Sequence, residues 1–466
     1  MGHFLISAAH KSSGKTTISI GLCAALRNKN YNVQAFKKGP DYIDPMWLGK
    51  ATGRPCYNLD FYTMERQEIL QRFALKAQSA QISLIEGNKG LYDGLDLDGS
   101  NSNAALAQLL QAPVVLVIDA QGMTRGIAPL ILGYQAFESN LNIAGVILNK
   151  LGGGRHESKL RAVIEHYTDV PVIGAVHRNA ELKILERHLG LIPSNEVSEA
   201  ENHIKVVGDL IARQVDLDKL VTIANTASPP LVETPATNTA VVSPDIRIGI
   251  AMDAAFGFYY PDDMEAFTKA GAELIPINTL QDTTLPPIDG LFIGGGFPET
   301  HMPQLSGNKS LRQAIANAIE QDLPVYAECG GLMYLSRSIS WGDKKYYMVG
   351  AIAADTVMHE KPQGRGYVQL QETEHHPWSR QSSSHSLPGH EFHYSRLENL
   401  STNVKFAYTV RRGAGVNGKF DGILYKNLLA NYSHLRNVKN NQWVHRFVDF
   451  VRNHKVTNRV TTQVCN

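Results

Sequence analysis

The chain has 466 residues, with 45 Lys and Arg against 44 Asp and Glu, a formal charge of +1, and 43% apolar against 19% charged residues. That length suits two or three domains, each with its own core, and the composition excludes a disordered or fibrous chain. The near-zero charge balance gives no support to a nucleic-acid binder held by a basic face, and small-molecule partners are expected instead.

The N-terminal residues read as a first β-strand. They carry no basic n-region, their apolar stretch is too short for a secretory signal, and Ile6 stands where myristoylation needs Ser or Thr. No apolar run reaches the ~18 residues of a membrane span. Cys23, Cys56, Cys329 and Cys465 lie far apart without a C-x-x-C pair. That spacing fits neither a disulfide framework nor a zinc cluster and suits a reducing compartment, the cytoplasm.

Short apolar runs at Phe4–Ala8, Val33–Phe36, Ile82–Ile85, Val114–Ile118, Ala144–Leu148 and Val172–Val176 alternate with stretches of helical length such as Thr16–Lys29 and Asn103–Gln111. This rhythm predicts an α/β fold, a mainly parallel sheet with helices on both faces. Between the first strand and the first helix lies His10-Lys11-Ser12-Ser13-Gly14-Lys15-Thr16-Thr17, the strand–loop–helix of a phosphate-binding loop. Backbone N–H groups of Ser13–Thr17 would face the phosphates of a nucleotide, Lys15 would reach the β/γ oxygens, and Thr16 would ligate Mg²⁺. Ala9 stands where the usual pattern has its first glycine. A polar turn before a helix is the plainer reading of the tetrad alone; the strand ahead and the helix behind favour the phosphate loop.

Ligands of open α/β sheets bind at the carboxyl ends of the strands. There, Val33–Phe36 runs into Lys37–Pro45, and Ile82–Ile85 into Glu86–Gly94. Glu86, just past a buried strand, is a candidate Mg²⁺ ligand, with Asp41, Asp44 and Asp93 as further oxygen donors. Asp119 reads equally as a structural carboxylate.

Residues 222–245, rich in Thr, Ala and Pro, read as an extended linker. Ile246–Ala251, Leu274–Ile277, Leu291–Ile293 and Val325–Ala327 then form a second α/β unit reaching residue 454, and residues 455–466 read as a frayed polar tail. Cys329, between a strand and Gly330-Gly331, resembles a nucleophile elbow, and the helix N-terminus behind it is expected to lower its pKa. Gly294-Gly295-Gly296 leaves another strand as a glycine turn; the N–H groups of Gly295, Gly296 and Gly330 are candidates for an oxyanion hole. A buried structural thiol is the commoner fate of a free cysteine, and only the neighbouring glycines decide against it. Attack on an amide also needs a histidine. Candidates are His434, the pair His390 and His393, and the scattered His359, His375, His376 and His385. His390-Glu-Phe-His393 lacks the i, i+4 spacing of a zinc-binding helix.

Six motifs in order carry a resemblance: Gly14–Thr17, Lys38–Pro45, Glu86-Gly87 with Gly90–Gly94, Gly294–Glu299, Glu328–Tyr334 and Gly389–Ser395. Over nearly its full length, linker and tail excepted, the chain is similar to the family of glutamine-dependent corrin-amidating enzymes. The resemblance implies an N-terminal P-loop domain like dethiobiotin synthetase over residues 1–221, binding ATP and the corrin, and a class I glutamine amidotransferase domain over residues 246–454. It puts the nucleophile at Cys329 and the base at His434. Ordinary class I amidotransferases carry a glutamate two residues after this histidine; Arg436 stands there, so a Cys–His dyad is implied. Mg²⁺ falls to Thr16, Glu86 and Asp44, and the substrate or ammonia side to Asp41, Tyr42 and Asp93.

The implied reaction is ATP-dependent amidation of the a and c acetates of cobyrinate, through an acyl phosphate, with ammonia from L-glutamine. Hydrogenobyrinate or nickel sirohydrochlorin are alternative macrocycles. A partition-type nucleotide-switched ATPase is the alternative of another class; the second unit argues against it, and Lys11 lies four residues before Lys15 rather than five. No nucleic acid or membrane partner is implied, and a homodimer is left open.

Overall fold

The computed structural model describes residues 2–464 apart from 185, 188–189, 198, 229, 231–242 and 380–385. The chain divides into two compact units between Thr237 and Asn238.

In the first unit the strands are β1 (Gly2–Ala8), β2 (Val33–Lys38), β3 (Tyr57–Leu59), β4 (Ile82–Glu86), β5 (Val114–Asp119), β6 (Ile143–Leu151) and β7 (Val172–His177). They form one sheet in the order β3-β2-β4-β1-β5-β6-β7, every neighbouring pair parallel. The six predicted runs all fall inside these strands, because a strand buried on both faces reads as a continuous apolar run. β1 lies between β4 and β5, so the loop after β1 opens at the middle of the sheet's carboxyl edge.

The helices are α1 (Lys15–Asn28), α2 (Ile43–Thr52), α3 (Asn103–Leu110), α4 (Ile127–Phe137), α5 (Ala200–Gln214) and α6 (Leu217–Asn225), with two more at Arg66–Ala77 and Gly154–Tyr167. α1 and α5 touch through glycines. A Cβ on Gly21 would lie 2.3 Å from Ile211 Cγ1, and one on Gly208 2.8 Å from the Ala24 Cβ. Residues 222–225, read as the start of the linker, instead finish α6, where Leu220, Ile223 and Ala224 are buried. The helical spacing of these apolar residues outweighs the loop-like composition that follows. Most of the remaining linker stretch lies outside the described residues.

The second unit is built on β8 (Ile246–Ala251), β9 (Ala272–Ile277), β10 (Gly290–Ile293), β11 (Val325–Glu328), β12 (Gly364–Glu372), β13 (Leu387–His393), β14 (Lys405–Arg412), β15 (Phe420–Tyr425) and β16 (Leu428–Asn431). The sheet order is β9-β8-β10-β11-β16-β15-β14-β12-β13. The run from β9 to β16 is parallel, and the remainder antiparallel. Successive strand residues face opposite sides. Leu291, Ile293, Val325 and Ala327 join Leu311, Ile315 and Ile319 of α8 (Lys309–Glu320), after α7 (Pro261–Lys269). Phe292, Tyr326 and Leu429 meet Phe267 of α7 and Trp443, Val444 and Phe447 of the last helix. The short α9 (Gly330–Leu335) follows β11, and α10 (Trp443–Val464) closes the chain. α10 runs through the stretch read as a frayed tail; it contains neither Gly nor Pro to stop it.

The α1–α5 contact makes a prediction. Gly21→Val should destabilise the protein by about 1–3 kcal/mol through overpacking against Ile211. Gly133→Ala, in α4 with nothing within 4 Å of its Cβ position, should gain up to about 1 kcal/mol. Urea denaturation of the two variants checks both signs.

Candidate active sites

Gly14 caps α1 at φ 88°, and a Cβ there would lie 2.2 Å from Asn149 Nδ2. The position is closed to other residues by both backbone and space. The first helical bond runs from Ile18 N–H to the Gly14 carbonyl, and no side chain caps the turn. The amides of Lys15–Thr17 are therefore left for an anion at the helix N-terminus. Ser13 Oγ donates to the His10 carbonyl (2.8 Å), Asn149 Nδ2 to the Ser13 carbonyl (2.9 Å), and Lys150 Nζ to the Ser12 carbonyl (2.8 Å). Thus β6 clamps the loop through two residues that the sequence reading did not single out. Asp119 pairs with Lys150 at 2.8 Å and accepts the Gln121 N–H.

Behind the loop lies a buried ionic knot. Lys37 Nζ is 2.5 Å from Asp44 Oδ2 and 2.9 Å from Glu86 Oε1. Thr16 Oγ1 is 2.7 Å from the same Glu86 oxygen and 3.2 Å from Asp44 Oδ2. Burial alone would lower the Lys37 pKa; the carboxylates of Asp44 and Glu86 outweigh it and hold the ammonium well above its ordinary range. Lys37 was also missed, although a lysine inside a strand buried on both faces is a sequence-level signal that a carboxylate lies opposite. Burial and the Lys37 charge lower Lys15 to about 8. Glu86 Oε2 is buried and accepts no hydrogen bond. An orphaned carboxylate oxygen beside a hydroxyl and a second carboxylate is a hard-oxygen set that fits Mg²⁺.

The remaining predicted residues surround this knot. Asp41 Oδ1 accepts the Asp44 N–H (3.2 Å), and burial with the Asp44 charge raises Asp41 to about 7. Tyr42 is buried at the cap of α2. Exposed Asp93 accepts the Gly90 N–H (2.8 Å), bracing the turn whose Lys89 carbonyl receives Lys15 Nζ.

In the second unit Cys329 sits between β11 and α9 with φ 47°, ψ −102°, a strained conformation for a residue with a side chain. Its N–H donates to the Asn431 carbonyl at 2.8 Å, fixing the elbow to the end of β16. Glycines make the room. A Cβ on Gly330 would lie 3.0 Å from both N and O of Gly296, one on Gly331 2.2 Å from the Ile293 carbonyl oxygen, and one on Gly295 2.5 Å from His434 Cε1. Gly295, Gly296 and Gly330 are therefore brought together beside the thiol and the histidine. The expected lowering of the thiol pKa is corrected. Burial pushes Cys329 up, and the carboxylates of Glu299, Glu328 and Glu391 add to it, opposed by the Gly330 N–H. A helix of six residues has too few aligned peptides to reverse that.

His434 is buried, and its Nδ1 lies 3.2 Å from Glu328 Oε2. Glu328 is itself buried; its Oε1 accepts the Tyr326 hydroxyl (2.6 Å) and the Leu435 N–H (2.9 Å). Sequence spacing could not reveal this pair, because strand pairing of β11 with β16 brings positions over a hundred residues apart together. The Asp421 carboxylate holds the turn before His434, accepting the N–H groups of Tyr432 and Ser433 (both 3.0 Å) and the Ser433 hydroxyl (2.7 Å). Arg436 faces away into a buried pair with Asp262 (3.1 Å) and lies over the Tyr260 ring.

The other histidine candidates sort out around this one. His390 stacks on His434 with ring centroids 4.8 Å apart, and burial with the neighbouring His434 keeps it well below its ordinary pKa. His393 stacks on Tyr432 at 3.9 Å, and His376 bonds the Tyr408 hydroxyl. His385 lies outside the described residues. Among the described residues no group of three His, Cys, Asp or Glu could hold a metal, and no helix is long and apolar enough to cross a membrane.

Residues 5–192 match the CobQ/CobB/MinD/ParA nucleotide binding domain, and residues 247–442 the CobB/CobQ-like glutamine amidotransferase domain. The class is thus a nucleotide-binding unit joined to a glutamine amidotransferase unit in one chain. A cobyrinate a,c-diamide synthase of Magnetococcus marinus is 46% identical over 92% of this chain and 93% of its own length. Those of Methanosarcina acetivorans (41%; 93% and 92%) and Caldanaerobacter subterraneus (39%; 96% and 97%) are also similar. The chain belongs to the cobyrinate a,c-diamide synthase family and is a glutamine-dependent amidating ligase.

The lowered Lys15 gives a pH prediction with a definite sign. A lysine titrating at about 8 is charged below that pH and loses its cation above it. ATP binding should restore the proton, so the Kd for ATP should be level near pH 7 and rise toward about tenfold per unit above pH 8. Calorimetric titration across this range checks it; a Kd unchanged at pH 9.5 contradicts it.

Proposed function

We propose that the protein converts the a and c acetate groups of cobyrinate to acetamides, consuming ATP and L-glutamine. One observation carries the reading: a single chain holds both a phosphate loop backed by buried acids and a strained cysteine elbow beside a carboxylate-bonded histidine.

A carboxylate does not react with ammonia at neutral pH, since its oxygen is a poor leaving group. In the first unit an acetate oxygen attacks the γ-phosphorus of ATP, ADP departs, and an acyl phosphate forms. The amides of Ser13–Thr17 cradle the phosphates and Lys15 meets the charge on the transferred group. Thr16, Glu86 and Asp44 would hold Mg²⁺, which supplies charge neutralisation on the phosphates when bound. Lys37 holds Glu86 and Asp44 in place by direct ion pairs. Asp41, Tyr42 and Asp93 lie on the side of the acetate or the incoming ammonia.

In the second unit the thiol of Cys329 rests protonated. His434 takes its proton as sulfur attacks the glutamine amide carbon, and the N–H groups of Gly295, Gly296 and Gly330 receive the negative oxygen. His434 returns the proton to the leaving ammonia, and water hydrolyses the thioester to glutamate. Ammonia then attacks the acyl phosphate, and phosphate leaves. The buried free thiols of Cys23, Cys56 and Cys329 suit a reducing compartment, the cytoplasm.

Mass spectrometry of cobyrinate incubated with enzyme, ATP, Mg²⁺ and amide-¹⁵N glutamine tests the reading, with hydrogenobyrinate and nickel sirohydrochlorin in parallel. Two labelled amides on cobyrinate are expected, and none would overturn the substrate assignment. Cys329→Ser should lose at least about 10²-fold of glutamine-driven synthesis while free ammonia still supports it. Equal loss of both would refute the division of labour.

A further inference from the structure

We infer that Glu328, the residue immediately before the nucleophile, is the positioning carboxylate of the glutaminase site, doing for His434 what the position of Arg436 cannot. The inference rests on the amidotransferase reading above and names a third member for its Cys–His pair.

The geometry is directional. Glu328 Oε2 faces His434 Nδ1 at 3.2 Å, so a proton on Nδ1 makes the bond and Nε2 is left as the basic nitrogen. Glu328 Oε1 is occupied by two donors, the Tyr326 hydroxyl and the Leu435 N–H, so the carboxylate cannot turn. One of those donors belongs to the residue after His434, which ties the carboxylate to the backbone of the histidine it orients. The imidazole is held on its faces as well: His390 stacks on one side, and Gly295 leaves no gap at Cε1. Arg436 is removed from the contest by its buried pair with Asp262. A negative charge beside the ring also stabilises the imidazolium that forms when the thiol gives up its proton.

The two donors on Oε1 make the test sharp. In Glu328→Gln the amide oxygen must take the place facing Tyr326 and Leu435 N–H, which turns the amide NH₂ toward His434 Nδ1. That donor enforces the opposite tautomer, with the proton on Nε2, and a nitrogen already protonated cannot accept the thiol's proton. Glutaminase kcat, measured as glutamate release without any corrin, should fall by about 10²-fold or more, with KM for glutamine changed by less than about threefold. ¹⁵N spectra of the histidine-labelled protein should show the His434 tautomer reversed. Glu328→Asp, which keeps the charge but shortens the reach, should recover part of kcat. Amidation driven by free ammonia, which bypasses His434, reports on folding. A Glu328→Gln protein with kcat within about threefold of the parent, or one that loses both activities equally, overturns the inference. Because glutamate release and the ¹⁵N spectra are both read without the corrin, an error over the macrocycle leaves those two readouts standing.

Discussion

A parallel strand buried on both faces has to release its chain at the sheet's carboxyl edge, where a helix begins at once, and the connecting backbone must turn through a conformation that ordinary residues resist. Both units place their reactive groups on that constraint. In the first, Ser12 and Gly14 adopt positive φ and aim the opening amides of α1 outward. In the second, Cys329 itself takes the strained position, fixed to Asn431 and surrounded by glycines with no room for a Cβ. Strain of this kind persists only where the surroundings over-determine it. The tight contacts of Gly295, Gly296, Gly330 and Gly331 supply that over-determination.

The second organising force is the pairing of buried charge. Lys37 with Asp44 and Glu86, and Arg436 with Asp262, are ions taken out of water and held by partners at close range. Such pairs contribute little net stability, but removing one partner leaves an uncompensated charge. Their value here is placement: Lys37 sets two carboxylates beside the phosphate loop, and Asp262 keeps Arg436 away from His434. The thiol follows the same electrostatics in the opposite sense. Burial first and the surrounding carboxylates second keep it protonated, and in the proposed reaction His434 takes its proton at the moment of attack.

Much of this was legible in the sequence. Apolar runs marked the parallel strands because both faces are buried, and the Gly14-Lys15-Thr16 and Cys329-Gly330-Gly331 segments marked their strand-to-helix turns. Contacts created by strand pairing were not legible. Glu328 meets His434 only because β11 lies beside β16, and Asn149 and Lys150 reach the phosphate loop only because β6 lies two strands from β1. The antiparallel extension β15-β14-β12-β13 was missed as well, since β12, β14 and β15 are part-exposed and the buried β13 carries Pro388, Gly389 and polar residues in place of a continuous apolar run. Composition misled at residues 222–225 and after Lys455, where helices continue into polar sequence. The histidine base was named by resemblance; its carboxylate partner came from geometry.

In the proposed reaction the first unit activates a carboxylate by phosphorylation while the second frees the nitrogen. The most direct measurement follows oxygen. Cobyrinate carrying ¹⁸O in its a and c carboxylates is turned over with unlabelled ATP and glutamine, and the inorganic phosphate is weighed by mass spectrometry. One ¹⁸O delivered to phosphate for each amide formed is expected; phosphate free of ¹⁸O, with amides still appearing, would rule out the acyl phosphate.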